Sequence, residues 1–479
     1  MNGRILKEKF KDFEIYGNLE RVFFGIKTDS RVIENGDLFV ALKGENFDGH
    51  DFVFDAVKRG AVGVIIEKDL EINEDILVIK THNSREAFAK ISSFFFGDPS
   101  DRLTLIGVTG TMGKTTITYL LYRLFNYLGV PSGFIGTIGI GIKDNFSLVD
   151  LEPPTTPFPF DLHRYLKTML DDGVKYVFME VSSHGIKDKR IYGINFKRKI
   201  LGTMGTDHIE YHKSLEDYIK TKVSFFDGFT SPILNGNSLY IDRFIEVSKD
   251  PIFYGGDEIF DYSFQNLKTH GTSIYFDVYQ KGTALGAIDL PILGRYNAYN
   301  FLAVLSCAML EGANFSDIKD FAKNALVPGR MEIYTFKGIK VVIDYAHNPD
   351  EIESVLESIK NIGNRLIVVF GAVGTSEKEK RVSMGASVSK FADFCVVTSD
   401  DPRGHDIESI IKDVASSVSI KHKVIPDRIE AIKYALNEAK ENDVIAILGR
   451  GVESKMHMPN GEILRFRDID IVKEVFHED

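Results

Sequence analysis

The stretch LTLIGVTGTMGKTTITYLLYRLFNYLG, residues 103–129, decides the fold of the central part of this chain of 479 residues. Its first seven residues form an apolar run typical of a buried strand, and its last thirteen carry a helical pattern of apolar residues. Between them lies GTMGKTT, residues 110–116, whose glycines let the backbone curl so that several N–H groups point inward. A strand, a glycine-rich turn and a helix in this order are typical of a phosphate-binding loop.

The residue types of this turn predict a nucleotide site. Lys114 can reach the outer phosphates of a nucleotide, and the hydroxyl of Thr115 can bind Mg²⁺. Val108 stands where the complete G-x-x-x-x-G-K-[ST] motif has its first glycine, so an ordinary glycine-rich turn is the alternative. The loop alone does not distinguish a GTPase, a kinase, a motor and a ligase. We predict that the phosphates of a nucleotide are bound by Gly110, Thr111, Gly113, Lys114, Thr115 and Thr116.

Composition narrows the class of protein. The net charge of −11 argues against a broad surface for nucleic acid or anionic membranes. No uncharged apolar stretch reaches the ~18 residues of a membrane span, and the N-terminus lacks the features of a signal peptide. Cys307 and Cys395 lie in apolar runs and are predicted to be buried free thiols, as in a cytoplasmic protein. We expect a monomer.

The order of apolar runs predicts three domains. Residues 1–100 contain the candidate strands GDLFVAL, AVGVIIE and ILVIK and end in the turn-rich string GDPS. Residues 101–330 add KYVFMEVS, KILGTMG and SPILNG to the strand at 103–109. Residues 331–479 contain VVIDYAH, RLIVVFGA, FCVVTSDDP, HKVIPD and DVIAILGRG. Strands alternating with helices indicate an α/β fold, with a central parallel-sheet domain of the P-loop type and a C-terminal Rossmann-like domain.

Seven motifs together resemble the Mur ligases, the ATP-dependent enzymes that add amino acids to the peptide of peptidoglycan precursors. They are GTMGKTT at 110–116, TTP at 155–157, EVSSHG at 180–185, TDHIEYH at 206–212, LGRYNAYN at 293–300, PGRME at 328–332 and DYAHNP at 344–349. The resemblance covers nearly the whole chain. It implies the enzyme that joins a diamino acid, meso-diaminopimelate or L-lysine, to UDP-N-acetylmuramoyl-L-alanyl-D-glutamate through an acyl-phosphate.

The resemblance also implies two Mg²⁺ sites and a modified lysine. Glu180, at the end of a strand, is the expected carboxylate ligand of the first ion, with Thr115. His208 and Lys222 are the expected ligands of the second ion, with Lys222 carrying a carbamate derived from CO₂. Lys220 is the competing candidate for that modification. Lys114, Lys222 and His208 are the expected catalytic residues.

On the nucleotide side, the resemblance assigns four further residues. Asn300 matches a position near the adenine, and Arg330 and Asp344 match positions near the phosphates and the ribose. His347 lies beside them in the motif DYAHNP and is included in the predicted ATP site. For Arg330 and Asp344, an interdomain salt bridge is the alternative interpretation.

The remaining site residues are implied to bind the other two substrates. Ser30, in the motif TDSR, matches the uridine-diphosphate segment. Four residues match positions that hold the muramoyl dipeptide: Thr155, Thr156, Ser183 and Arg190. Five match positions that select the amino acid: Asp400, Asp401, Arg403, Gly449 and Glu453.

The selectivity motifs depart from those usual in diaminopimelate-adding enzymes. Asp401 replaces the asparagine of Asp-Asn-Pro-Arg, and Val452 replaces the histidine of Gly-Lys-Gly-His-Glu. Arg403, which can pair with a carboxylate, is retained and favours diaminopimelate slightly over lysine. Outside this reading, a folylpolyglutamate synthase-like ligase and a nucleotide-dependent switch remain as alternatives. The TDSR and GDLFVAL segments argue against the first, and the Glu180, His208 and Lys222 set argues against the second.

Overall fold

The structure is a computed structural model that describes residues 1–44, 47–148, 155–205, 209–256 and 260–477. The chain forms two compact units. The first contains Met1–Leu105, Pro153–Tyr176 and Val181–Lys197, and the second contains Ile106–Glu152, Val177–Glu180 and Arg198–Asp479. Domain boundaries at residues 100 and 330 therefore stay a prediction.

The N-terminal part carries a five-stranded sheet in the order β1-β5-β4-β3-β2, in which β1 alone is antiparallel to its neighbour. Apolar side chains from its two faces form separate cores, one around Leu6, Leu38 and Ile65 and the other around Phe39 and Val64. The strands are β1 Glu14–Gly17, β2 Gly25–Lys27, β3 Asp37–Val40, β4 Gly63–Ile66 and β5 Leu77–Lys80, and the helices are α1 Gly3–Lys9, α2 Val53–Lys58 and α3 Ser84–Phe95.

The central part carries an eleven-stranded sheet in the order β16-β15-β14-β13-β12-β11-β6-β10-β7-β8-β9. Strands β11 to β14 are parallel, whereas β14 to β16 and β7 to β9 are antiparallel. The strands are β6 Thr104–Thr109, β7 Ser132–Gly136, β8 Gly139–Ile142, β9 Asn145–Leu148, β10 Tyr176–Glu180, β11 Phe196–Leu201, β12 Ile233–Asn235, β13 Ile252–Gly255, β14 Tyr262–His270, β15 Ser273–Gln280 and β16 Thr283–Leu290. The helices are α4 Lys114–Tyr127, α5 Pro159–Asp171, α6 Ser183–Lys187, α7 Ile209–His212, α8 Leu215–Ser224, α9 Ile241–Val247, α10 Arg295–Leu310 and α11 Phe315–Ala322.

The C-terminal part carries a six-stranded sheet in the order β17-β18-β22-β19-β20-β21, parallel except for β17. Its central strands are buried along their whole length, which explains their continuous apolar sequences. The strands are β17 Glu332–Phe336, β18 Ile339–Asp344, β19 Leu366–Phe370, β20 Phe394–Val397, β21 His422–Val424, β22 Val444–Leu448, β23 Lys455–His457 and β24 Ile463–Arg465. The helices are α12 Pro349–Ile359, α13 Lys378–Ser389, α14 Ile407–Ala415, α15 Arg428–Glu438 and α16 Asp468–Phe476.

Each candidate strand of the sequence analysis is a strand of the structure, and both cysteines are buried free thiols. The antiparallel edges of the central sheet were not predicted, because their sequences lack long apolar runs. Within the described residues, no helix combines the length and the apolar character needed to cross a membrane.

Candidate active site

The phosphate loop lies between β6 and α4, as the sequence predicts. Gly110 and Gly113 have φ values of 149° and 86°, in the region that favours glycine. A Cβ atom on Gly113 would lie 2.4 Å from Oδ1 of Asn300, so this side chain on α10 packs directly over the loop. Asn300 is buried and donates to Oδ1 of Asn297 at 3.1 Å. The loop needs glycine for both its backbone conformation and its contact with α10.

Two lysine side chains are directed at the carbonyl oxygens of this loop. Nζ of Lys114 donates to the carbonyls of Gly110 and Thr111, both at 2.9 Å. Nζ of Lys222, on α8, donates to the same Gly110 carbonyl at 2.8 Å. Lys222 is buried, whereas Lys220 on the same helix is exposed. Lys222 is therefore the lysine that faces the loop.

Helix α8 is attached to the loop by a second contact, four residues before Lys222. The hydroxyl of buried Tyr218 lies 2.7 Å from Oγ1 of Thr111, which also accepts from the backbone N–H of Gly205 at 2.9 Å. The ammonium of Lys222 lies 5.0 Å from the centre of the Tyr218 ring. Tyr218 was not among the predicted site residues, because no charge or motif distinguishes it from a core tyrosine.

Glu180 lies at the end of β10 as a fully buried carboxylate. It accepts from the backbone N–H of Thr137 at 2.9 Å and from the hydroxyl of Thr137 at 3.1 Å. Burial raises the pKa of Glu180, and Lys114, the Thr137 N–H, Arg330 and a hydrogen bond from Thr115 oppose that rise. A carboxylate and a threonine hydroxyl, surrounded by cationic side chains, form an oxygen donor set suited to Mg²⁺ and phosphate.

The expected second metal site is only partly described. His208 lies outside the described residues. Among the residues that are described, no group of three or more His, Cys, Asp or Glu side chains could hold a metal ion. A carbamate on Lys222 would add oxygen ligands beside Gly110, and the structure brings the bare lysine to that position.

Arg330 connects the C-terminal part to the phosphate loop. Its guanidinium donates to Oγ1 of Thr115 at 3.3 Å and lies 4.2 Å from the centre of the Tyr345 ring. Asp344, at the end of β18, accepts from the N–H groups of Met331 and Ala346, both at 2.7 Å. Burial raises the pKa of Asp344 to about 6, against the opposing effect of Arg330.

His347 follows the same strand but is engaged locally. Its Nδ1 lies 3.0 Å from the Tyr345 carbonyl, and its backbone N–H donates to Glu351 on α12 at 3.1 Å. The structure therefore brings Arg330 to the phosphate loop and gives His347 a helix-end hydrogen bond.

Within the first unit, the four predicted dipeptide-binding residues lie near one another. Arg190 is buried and donates to the carbonyl of Thr156 at 3.0 Å. The hydroxyl of Thr156 lies 3.1 Å from that of Ser182, which caps α6 immediately before Ser183. Thr155 adjoins this group and is half-buried.

Ser30 lies in another part of this unit. It begins a short 3₁₀ helix, Ser30–Val32, which Asp29 caps by accepting from the N–H of Arg31 at 2.9 Å. Ser30 itself is half-buried.

The residues predicted to select the amino acid follow the ends of β20 and β22. Asp401 is buried, and its carboxylate accepts from Nε of Arg403 at 2.7 Å and from the N–H of His457 at 2.6 Å. Burial alone would raise the pKa of Asp401, but these hydrogen bonds overcome it and lower the pKa. Asp401 is therefore paired with Arg403 and with the backbone of His457.

Asp400 and Glu453 form a second acidic group at the same edge. A Cβ atom on Gly449 would lie 1.9 Å from Oδ2 of Asp400, so the glycine leaves room for this carboxylate. Burial raises the pKa of Asp400, opposed by Arg428 and Arg450. Burial likewise raises the pKa of Glu453, which accepts from the hydroxyl of Tyr345 at 3.0 Å.

Comparison with known proteins gives the family. The family model described as the Mur ligase middle domain matches residues 108–308. The models described as Mur ligase, glutamate ligase domain, and Mur ligase family, catalytic domain, match residues 329–451 and 23–95. The UDP-N-acetylmuramoyl-L-alanyl-D-glutamate–2,6-diaminopimelate ligase of Clostridium perfringens (strain 13 / Type A) is 36% identical over 98% of this chain and 99% of its own. The chain belongs to the Mur ligase family.

Two further relatives support this assignment. The ligase of the same name from Aquifex aeolicus (strain VF5) is 35% identical over 95% of this chain and 94% of its own. A solved structure of a ligase of that name shares 27% identity, with a TM-score of 0.65 and coverage of 95% of both chains. The predicted Mur ligase family, α/β fold class and ATP-dependent ligase chemistry are confirmed.

The individual roles of the Mur ligase residues stay predictions. The structure brings Lys114, Thr115, Glu180, Lys222, Asn300 and Arg330 together at one loop. Asp401, Arg403, Asp400 and Glu453 lie at the ends of two strands of the C-terminal sheet. Four residues that contact these groups are not predicted from the sequence: Thr137, Tyr218, Tyr345 and His457. Tyr345 lies inside the quoted motif DYAHNP, but the others stand in segments without a recognisable pattern.

Proposed function

We propose that this Mur ligase joins meso-diaminopimelate to UDP-N-acetylmuramoyl-L-alanyl-D-glutamate, with conversion of ATP to ADP and phosphate, in peptidoglycan synthesis. The convergence of Lys114, Thr115, Glu180 and Arg330 at the phosphate loop carries the proposal. The names of the relatives from C. perfringens and A. aeolicus support the choice of substrates.

The first step is phosphoryl transfer. An oxygen of the terminal carboxylate of the dipeptide attacks the γ-phosphorus of ATP, and the bond from that phosphorus to the bridging oxygen of ADP breaks. Lys114 and Arg330 lie at the loop where the negative charge of the transferred group is expected. Fixed cations at such a site stabilise the transition state without reorganising.

The oxygen donors of the loop fit Mg²⁺. Thr115 and Glu180 would hold a first ion, and His208 with carbamylated Lys222 would hold a second. Bound Mg²⁺ would neutralise charge on the transferred phosphoryl group. The carbamate forms when the uncharged amine of Lys222 adds to CO₂ and loses a proton. The burial of Lys222 beside Gly110 supports its choice over exposed Lys220.

The second step forms the amide. The uncharged amine of diaminopimelate attacks the acyl carbon, phosphate leaves, and the amine gives up a proton. Arg403 is placed to pair with a carboxylate of the incoming amino acid, because its side chain is half-exposed at a strand end. Asp400 and Glu453 offer carboxylates for an amino group at the same edge.

An amino-acid panel tests this function. ADP formation is measured with UDP-N-acetylmuramoyl-L-alanyl-D-glutamate, ATP and Mg²⁺, adding meso-diaminopimelate, L-lysine, D-lysine or L-ornithine in turn. We expect turnover that requires both dipeptide and amino acid and is fastest with meso-diaminopimelate. Replacing the dipeptide with a folate tests the folylpolyglutamate synthase-like alternative. ADP formation that ignores dipeptide and amino acid would indicate a nucleotide switch.

A further inference from the structure

His457 belongs to a part of the fold that carries no recognised motif. It ends β23, which pairs with β24 in a two-stranded ribbon, with His457 opposite Ile463. The ribbon follows the turn that contains Glu453 and lies outside the six-stranded sheet. His457 is thus supplied by a separate element from the strand that ends before Asp401.

Three contacts attach His457 to the amino-acid-selecting loop. Its backbone N–H donates to Oδ1 of Asp401 at 2.6 Å, and its Nδ1 lies 3.2 and 3.3 Å from the two oxygens of that carboxylate. In return, the backbone N–H of Arg403 donates to the carbonyl of His457 at 2.9 Å. The ribbon therefore holds both the buried carboxylate and the backbone of the arginine.

These contacts determine which edge of Arg403 is open. Asp401 engages Nε of Arg403 at 2.7 Å through its Oδ2 atom. Among the described residues, the Nη atoms of Arg403 have no hydrogen-bond partner, and 53% of the side chain is exposed. The residue also has a φ of 47°, a conformation rarely adopted outside glycine, which the bond to the His457 carbonyl helps to hold.

We propose that His457 is a positioning residue that acts through Asp401 to aim the open edge of Arg403 at the second carboxylate of the incoming diamino acid. The inference rests on the proposed function and adds a residue to its specificity. A planar guanidinium pairs bidentately with a carboxylate only when its orientation is fixed. Lysine lacks the second carboxylate, so its use does not depend on this alignment.

His457→Ala and His457→Asn test the proposal together. Alanine keeps the backbone contacts and removes the imidazole donor, whereas asparagine retains an N–H donor close to the position of Nδ1. For His457→Ala we expect the KM for meso-diaminopimelate to rise by roughly tenfold, the usual effect of losing a hydrogen bond to a charged group. We expect kcat, the KM for ATP and the kcat/KM for lysine to change less than about twofold, and His457→Asn to restore most of the lost affinity.

His422→Ala is the matched control, because His422 is an exposed histidine on the edge strand β21 of the same part of the chain. Thermal unfolding of each variant shows whether the fold is kept. An equal loss for diaminopimelate and lysine, no loss at all, or no rescue by asparagine would overturn the role of His457. A wild-type enzyme that does not use diaminopimelate would overturn the proposed function itself, and this inference with it.

Discussion

The phosphate loop around Lys114 is held by buried side chains of α8 and α10. The loop around Arg403 is half-exposed and is held by fewer contacts. Gly113 packs against Asn300, Thr111 binds Tyr218, and two lysines donate to the Gly110 carbonyl. Arg403 has Asp401 and the backbone of a two-stranded ribbon as its partners.

This contrast fits the different roles proposed for the two regions. Phosphoryl transfer needs preorganised donors at fixed positions, and a glycine-rich turn followed by a helix can provide them through the backbone. Selecting an amino acid needs only a difference in free energy between similar ligands, which a few side-chain contacts supply. The phosphate loop should therefore respond to substitution with loss of turnover, and the C-terminal loops with a change of preference.

The largest effect is expected for Lys114→Ala. Removing this ammonium takes away one of the two fixed cations proposed to stabilise the transferred phosphoryl charge, and one such donor is typically worth ~10²–10³ in rate. ADP formation at saturating substrates should fall by at least that factor, while thermal unfolding stays close to wild type. Lys220→Ala, an exposed lysine of α8, is the matched control and should keep full turnover. Near-normal turnover in Lys114→Ala would contradict the prediction that substitutions in the phosphate loop cause loss of turnover.

Lys222→Ala should also be nearly inactive. Unlike Lys114→Ala, however, it should respond to added small carboxylates. If Lys222 carries a carbamate, the variant lacks oxygen ligands for the second metal ion, and millimolar formate or acetate should restore part of the turnover. ADP formation is measured with and without added carboxylate. The same rescue in Lys220→Ala would assign the modification to that residue. Absence of rescue in both would mean that the second metal site is built differently.

The raised pKa of Asp344 predicts how the free energy of unfolding depends on pH. Its pKa is raised from 3.8 to about 6, so between these values the folded chain binds a proton that the unfolded chain has lost. Its contribution to the free energy of unfolding therefore falls as pH rises from 4 to 6, by roughly 3 kcal/mol in total. In Asp344→Asn this loss should disappear, which urea unfolding at pH 4 and pH 6.5 measures. Asp250→Asn, at an exposed aspartate, should keep the wild-type slope.

The sequence predicts the phosphate loop well because its chemistry is local. Glycines, Lys114 and Thr115 are adjacent in the chain, and a strand and helix frame them. Glu180 and Lys222 required the family resemblance, since an acidic residue after a strand and a lysine on a helix have no distinctive local pattern. Thr137 and Tyr218 escaped prediction because only the folding of distant segments brings them to Glu180 and Thr111.

The C-terminal loops were harder to predict for a related reason. The motif departures at Asp401 and Val452 were visible, but the partner of Asp401 was not. His457 reaches Asp401 through a ribbon 56 positions along the chain, and no spacing rule connects them. The pairing of Asp401 is therefore a property of the fold that its position in the sequence does not predict.

The smallest effect is expected for Asp401→Asn, which tests the contacts that hold the loop around Arg403. Asparagine keeps one carbonyl oxygen that can accept from the His457 N–H, and it removes the negative charge that Asp401 places beside Arg403. Arg403 and Asp401 together carry no net charge, whereas Arg403 and asparagine carry one positive charge, which favours the second carboxylate of diaminopimelate. The substitution also removes the oxygen that engages Nε of Arg403, and through this contact His457 is proposed to align the guanidinium. We expect this loss of alignment to exceed the gain from charge, so the ratio of kcat/KM for meso-diaminopimelate to that for lysine should fall by about twofold to threefold, the size of a partly exposed charge effect. A higher ratio would mean that Asp401 acts through its charge and not by bracing Arg403, and it would contradict the positioning role of His457.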